Sequence, residues 1–267
     1  MRVVDCHVHL EKTSRSSEIL RQMDANGVER ILLMSRYERG SFDATLENLQ
    51  EVQRLMKEAP GRISGLAWLN PAVPRSETLA RCALREMGFS GIKIIPDHWF
   101  VYEDRFEPFW HELNELSASV LFHTGILYTF EDGSRFCHPV FLEKLLHYPR
   151  IRFAMAHLSW PWCDECLAVM GRMQAAAEEG GFGWQSYIDT TPGTPPYIRT
   201  QAVRNAIAFC GPDRILFGSD SMLPGDLSHQ KDVLSADIQL YKSAGMKKTQ
   251  IERILSGTAD SIFPVRD

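Results

Sequence analysis

Apolar residues along this chain fall into short continuous runs separated by longer stretches of mixed, helix-like periodicity. The runs are Val3–His7, Arg30–Met34, Ile63–Leu69, Gly91–Ile95, Val120–His123, Arg152–His157, Gln185–Asp189 and Arg214–Ser219. Runs of this length bounded by turn residues predict strands buried on both faces. Amphipathic stretches lie between them, at Ala44–Ala59, Ser76–Met87, Phe106–Ser117, Pro139–His147, Asp164–Glu179 and Tyr197–Phe209. Pro60-Gly61, Gly88, Pro149 and Gly211-Pro212 fall where helices should stop or the next strand begins. Strand alternating with helix predicts a parallel sheet with right-handed crossovers. Eight such units, each of roughly 30 residues, predict an α/β fold closed as a (β/α)8 TIM barrel. No G-x-G-x-x-G follows the first strand and no G-x-x-x-x-G-K-[ST] occurs, so a dinucleotide or P-loop phosphate cradle is missing.

The chain has 267 residues, and a barrel of this kind takes roughly 250 as one domain, so residues 1–267 read as a single domain. No Ser/Gly-rich linker or low-complexity tract divides it. Hydrophobic residues make up 44% and charged residues 24%, which excludes wholesale disorder. The net charge is −5 without a dense Lys/Arg run, which argues against nucleic acid as a partner. No apolar stretch approaches the ~18 residues of a membrane span. The first residues turn polar at once, without a signal-peptide core, so the cytoplasm is the expected location and a small molecule the expected partner. A homodimer stays open. The 6 cysteines are too few for a disulfide scaffold in a chain of this size. Cys163 and Cys166 form a lone C-x-x-C, a redox pair or half a zinc site in principle, which reads here as two thiols near a helix start.

The chemistry lies in where the histidines fall. His7 and His9 form H-x-H at the end of the first strand, where alternation points both imidazoles to one side. His123 ends the fifth strand, His157 the sixth, and Asp220 the eighth. Barrel active sites form at the C-terminal ends of the strands, so all five residues should converge there. One histidine at a strand end is usually structural, but five potential ligands converging on one rim predict a metal site. Imidazole and carboxylate donors suit zinc, and also manganese or iron.

Asp5-Cys6-His7-Val8-His9, His123, His157 and Phe217-Gly218-Ser219-Asp220 resemble the amidohydrolase superfamily of metal-dependent enzymes. The short chain and Gly91-Ile92-Lys93-Ile94 are similar to its amidohydrolase-related branch, which includes aminocarboxymuconate-semialdehyde decarboxylase-like enzymes and sugar-acid lactonases. Ser256-Gly257-Thr258-Ala259 matches the closing helix start of that family, with Thr258 in place of the usual Asn. The resemblance implies that His7, His9, His123 and Asp220 ligate one divalent ion, most simply Zn2+. His157 would then contact water or substrate, and would become a ligand if a second ion bound. It also implies that Asp220 moves a proton from the attacking water to the leaving group, while His157 orients and stabilises the developing oxyanion.

Lys93 bears on one metal or two. Binuclear relatives carboxylate a lysine at the end of the fourth strand, and a lysine buried among cations can lose its proton. The alternative, preferred here with a single ion, is an ammonium holding a substrate carboxylate. Where many relatives carry a histidine two residues further on, this chain has Ile95. Loop residues Asn70, Trp160, Trp162, Thr191 and Arg199 are expected to contact substrate, and Glu11 and Lys12 to approach the mouth of the site. The leading expectation is hydrolysis of an amide, lactone or ester bond in a small, carboxylated substrate. The alternative is metal-dependent non-oxidative decarboxylation of an aromatic or unsaturated acid. A non-catalytic metal-binding barrel is the third.

Overall fold

The computed structural model describes residues 1–225 and 227–266. Its strands are β1 Val4–Leu10, β2 Arg30–Met34, β3 Ile63–Trp68, β4 Gly91–Ile94, β5 Ser119–Phe122, β6 Arg152–Met155, β7 Ser186–Asp189, β8 Ile215–Leu216 and β9 Ser221–Leu223. Every pairing between neighbours is parallel, in the order β8-β7-β6-β5-β4-β3-β2-β1-β9. The last stretch closes the ring. β8 pairs with β7, and the chain beyond it then joins β1 through Cys6 N to Phe217 O at 3.0 Å, Asp220 N to His7 O at 2.9 Å, and the β9 pairing. The expected (β/α)8 barrel is what the sequence forms.

Helices α1 Ser16–Asn26, α2 Phe42–Glu58, α3 Ser76–Arg81, α4 Glu107–Glu115, α5 Cys163–Gly180, α6 Pro196–Cys210 and α7 Ser228–Ser243 follow the strands. α2 begins at Ser41, whose hydroxyl accepts from Ala44 N at 3.2 Å and satisfies one of the free amides of the first turn. The stretch expected as a helix over Pro139–His147 is wound as a 3-10 helix. Among the described residues, no helix is long and apolar enough to cross a membrane.

Two apolar layers follow from the alternation of side chains. Leu32, Leu66, Leu121, Ala154, Tyr187 and Leu216 pack inside the barrel, while Ile31, Leu33, Ile92, Ile94 and Val120 pack outward against the helices. α8 Lys248–Glu252 and α9 Thr258–Ile262 close the chain, and Ala259, Ile262 and Phe263 plug the bottom of the interior. The Phe263 ring is why Gly91 carries no side chain: a Cβ there would meet it at 2.8 Å and Ser119 O at 2.6 Å.

β1 breaks the alternation once. Asp5 pairs with Ile31 but Val8 with Leu33, so three residues of β1 span two of β2, a bulge. Val4 and Cys6 face the interior before it, and Val8 and Leu10 face outward after it. The bulge therefore turns His7 and His9 into the barrel, and β1 runs on to Leu10, beyond the expected His7.

Candidate metal centre

Asp220 stands at the centre of the rim. Its φ is 60°, left-handed backbone that non-glycine residues seldom adopt, and this turn carries the side chain back over the first strand. Its Oδ1 lies 3.3 Å from both His7 Nε2 and His9 Nε2. Burial opposes its ionisation, but His7, His9 and His157 facing it outweigh that and hold the carboxyl well below its ordinary range. Gly218 makes this approach possible, because a Cβ there would meet Thr191 Cγ2 at 2.5 Å and His7 Cβ at 2.8 Å.

His7 is fully buried and held from both sides. Asp189 Oδ2 lies 2.7 Å from Nδ1, and Lys93 Nζ lies 3.3 Å from Nε2. Burial first, then the Lys93 charge, lowers its pKa to about 3, so the ring is neutral. A neutral ring beside an ionised carboxylate carries its proton on Nδ1 and donates it to Asp189, which leaves the Nε2 lone pair facing Asp220. Burial likewise lowers His9, and takes His123 well below its usual value.

His157 begins a short left-handed turn, with φ of 56°, 51° and 55° at His157, Leu158 and Ser159. β6 has therefore ended at Met155, before the histidine reaches the rim. Asp189 Oδ1 accepts from His157 N at 2.8 Å, and Thr194 Oγ1 donates to His157 O at 2.9 Å. His157 Nδ1 lies 2.7 Å from Pro192 O, an acceptor only, so this nitrogen carries the proton. In the tautomer this selects, Nε2 is the lone-pair atom, the one suited to ligation. His123 lies alongside, with ring centroids 4.9 Å apart, and its Nε2 faces Ile126 O at 3.2 Å.

The five predicted residues come together as one cluster. Within it, potential ligand atoms of His7, His157 and Asp220 all lie within 4.8 Å of one another. Two imidazoles and an ionised carboxylate, with the far nitrogen of His7 anchored to Asp189, form a donor set that fits a divalent cation.

A cavity of about 560 Å³ opens over the cluster. His9, His123, His157 and Asp220 line its floor, and Tyr37, Trp68, Ile95, Leu127, Phe130 and Trp160 form its walls. Of the predicted substrate contacts, Trp160 reaches this cavity. Trp162 instead stacks on His138 at 3.6 Å. Asn70 is buried, donates to Arg39 O at 2.9 Å and accepts from Ala72 N at 3.0 Å, so it shapes the loop that carries Tyr37. Thr191 is buried beneath His157, 3.0 Å from Nδ1, and donates to Asp189. Arg199 is committed elsewhere, to Asp237 at 2.7 Å and Thr190 O at 2.5 Å. Lys93 lies buried below the floor rather than in the cavity wall; burial brings it down to about 8, against the pull of Asp189 and Asp220. Glu11 lines the mouth. Cys163 and Cys166 sit in the first turn of α5 as free thiols, Cys166 buried against Met155 Sδ at 3.9 Å.

Two buried carboxylates escaped the sequence reading. Asp189 orients both His7 and His157, and its signal was present: a lone acid at the C-terminal end of a strand. Asp5 accepts from His7 N at 3.1 Å, Ser219 N at 3.0 Å, Ser219 Oγ at 2.5 Å and Gln230 Nε2 at 2.7 Å. It clips the first strand to the segment carrying Asp220.

No curated protein sequence matches this chain. Solved structures share its fold at low identity. The 5-carboxyvanillate decarboxylase of Sphingomonas paucimobilis superposes with a TM-score of 0.73 at 13% identity, over 99% of both chains. A 5-carboxyvanillate decarboxylase of Novosphingobium aromaticivorans, with bound manganese and 3-methoxy-4-hydroxy-5-nitrobenzoic acid, gives 0.70 at 13% identity over 99% of this chain and 97% of that one. A probable 2-pyrone-4,6-dicarboxylic acid hydrolase of Acinetobacter baumannii gives 0.66 at 16% identity over 98% and 99%. The sequence profile of the amidohydrolase family matches residues 4–265, and the chain belongs to that family.

Proposed function

We propose that this chain is a metal-dependent hydrolase that opens an amide, lactone or ester bond in a small substrate with a planar apolar body. The observation that carries the reading is the Asp220 carboxylate, 3.3 Å from two imidazole nitrogens yet 29% exposed to an apolar cavity. His7, His157 and Asp220 are the closest-set ligands for a divalent ion, with His9 against the same carboxylate oxygen and His123 beside His157. Such an ion supplies Lewis acidity toward a carbonyl and acidifies a water molecule; zinc fits these donors best, and manganese is the alternative.

The residues of the chain divide the remaining work. Asp220, ionised and open to the cavity, takes a proton from water and returns it to the leaving group. Asp189 holds His7 in the tautomer that directs its Nε2 lone pair at the site and anchors His157 through its backbone N–H, while Pro192 O faces His157 Nδ1. Trp68, Phe130 and Trp160 exclude bulk water and offer flat faces to the substrate. Those aromatic walls also favour a second reading, non-oxidative decarboxylation of an aromatic acid. That reaction needs a proton donor at the carbon, whereas the carboxyl on this floor, Asp220, is held ionised, so hydrolysis ranks first.

The test is a panel of carboxylated lactones, aryl amides, aryl esters and aromatic acids, assayed with zinc- and manganese-loaded protein. Ring opening or amide cleavage is expected. Release of CO2 from an acid, with no hydrolysis of any carbonyl compound, overturns the reading in favour of decarboxylation.

A further inference from the structure

Neither predicted carboxylate anchor, Lys93 or Arg199, stands in the cavity wall. Another cation does. Arg36 lies two residues beyond β2 and lines the cavity, and it is the one Lys or Arg among the described residues that does so. Its Nε donates to Asn48 Oδ1 at 2.9 Å, which fixes the guanidinium against α2, and Asn48 Nδ2 donates back to Arg36 O at 3.4 Å. No carboxylate of the described residues forms an ion pair with Arg36, although arginines supply the cation in most of the ion pairs among those residues. Glu11 lines the same cavity without pairing with it. A guanidinium has five N–H donors, and an oriented one with its terminal amino groups uncommitted matches a carboxylate bidentately.

The next residue builds the surface beside it. The Tyr37 ring lies 5.1 Å from that of Trp68 and 5.2 Å from that of Phe130. Its hydroxyl donates to the buried Asp97 carboxylate at 2.8 Å, which pins the ring in place. A planar apolar body against this face brings an anionic substituent to Arg36 while its other end reaches the histidines and Asp220.

We propose that Arg36 is the specificity-determining residue of this site, binding the carboxylate of a planar, apolar carboxylic acid or acid derivative. The assignment rests on the functional reading above for the substrate's place in the cavity, but its test does not require turnover. Binding of 2-naphthoate and of neutral 2-naphthamide to the metal-loaded protein is measured by calorimetry, in the wild type, Arg36→Gln and Arg36→Lys. The expected result is tighter binding of naphthoate by the wild type, weakened about 10- to 100-fold in Arg36→Gln, the range for a lost charged hydrogen bond. Naphthamide affinity and metal content should not change, and Arg36→Lys should restore part of the difference. Naphthoate that fails to bind the wild type, or that binds Arg36→Gln as tightly, overturns the proposal. Equal losses for naphthoate and naphthamide overturn it too, since they indicate a merely structural arginine. A selective loss of naphthoate alongside an inactive substrate panel would leave Arg36 assigned and refute the hydrolase reading alone.

Discussion

Replacing Asp189 with Asn tests how the site is held together, because the carboxylate serves two different sets of donors. Oδ1 accepts from His157 N at 2.8 Å and Thr191 N at 3.1 Å, and also from the Thr191 hydroxyl. Oδ2 accepts from His7 Nδ1 at 2.7 Å. An asparagine must keep its carbonyl oxygen toward the two backbone amides, and its amino group then faces the Nδ1 proton of His7. Two donors cannot share that contact. Relief comes if His7 moves its proton to Nε2, which removes the lone pair directed at Asp220 and the metal. The loss of an outer partner of a histidine ligand typically costs 10- to 100-fold in metal affinity, and the buried mismatch costs about 1–3 kcal/mol of stability. Chelator competition for zinc, thermal unfolding, and the 15N shifts of His7 measure the three consequences. Asp189→Asn protein that binds zinc with wild-type affinity and keeps the His7 proton on Nδ1 would refute the reasoning.

Two further outcomes follow from the same geometry. Asp220→Asn keeps a ligating oxygen but loses the proton acceptor, so kcat on any hydrolysed substrate should fall by about 10²- to 10⁴-fold with metal partly retained; steady-state rates with metal analysis check this, and an unchanged kcat removes Asp220 from the chemistry. Burial and Lys93 lower His7 from 6.5 to about 3 in the folded chain, so between those values the unfolded chain binds the extra proton. The metal-free protein should therefore lose stability as pH falls from about 6.5 toward 3, with His9 and His123 adding to the same trend, and urea midpoints at pH 7.5 and 5.5 should differ in that sense; a higher midpoint at pH 5.5 contradicts it.

How much of this was legible in the sequence follows from which interactions are local. Barrel strands are buried on both faces, so they read as unbroken apolar runs, and their C-terminal ends brought His7, His9, His123, His157 and Asp220 to one rim. The bulge in β1 was not legible, since nothing in Asp5-Cys6-His7 announces a shift against β2. The cavity wall was missed for a different reason: Arg36, Tyr37, Trp68 and Phe130 lie at or beyond the ends of three different strands, and only the closed barrel brings them to one cavity. Trp160 and Trp162 looked equivalent two residues apart, but the turn sends one to the cavity and the other onto His138. Arg199 looked free for substrate because Asp237, its partner, lies on α7, remote in sequence.

The most direct test of the central claim is the metal content of the purified chain beside that of His7→Ala. The wild type should carry about one equivalent of zinc or manganese, and the variant, with its shell incomplete, should carry almost none. Equal metal in the two proteins, or a folded wild type that takes up no divalent ion when offered it, would contradict the account.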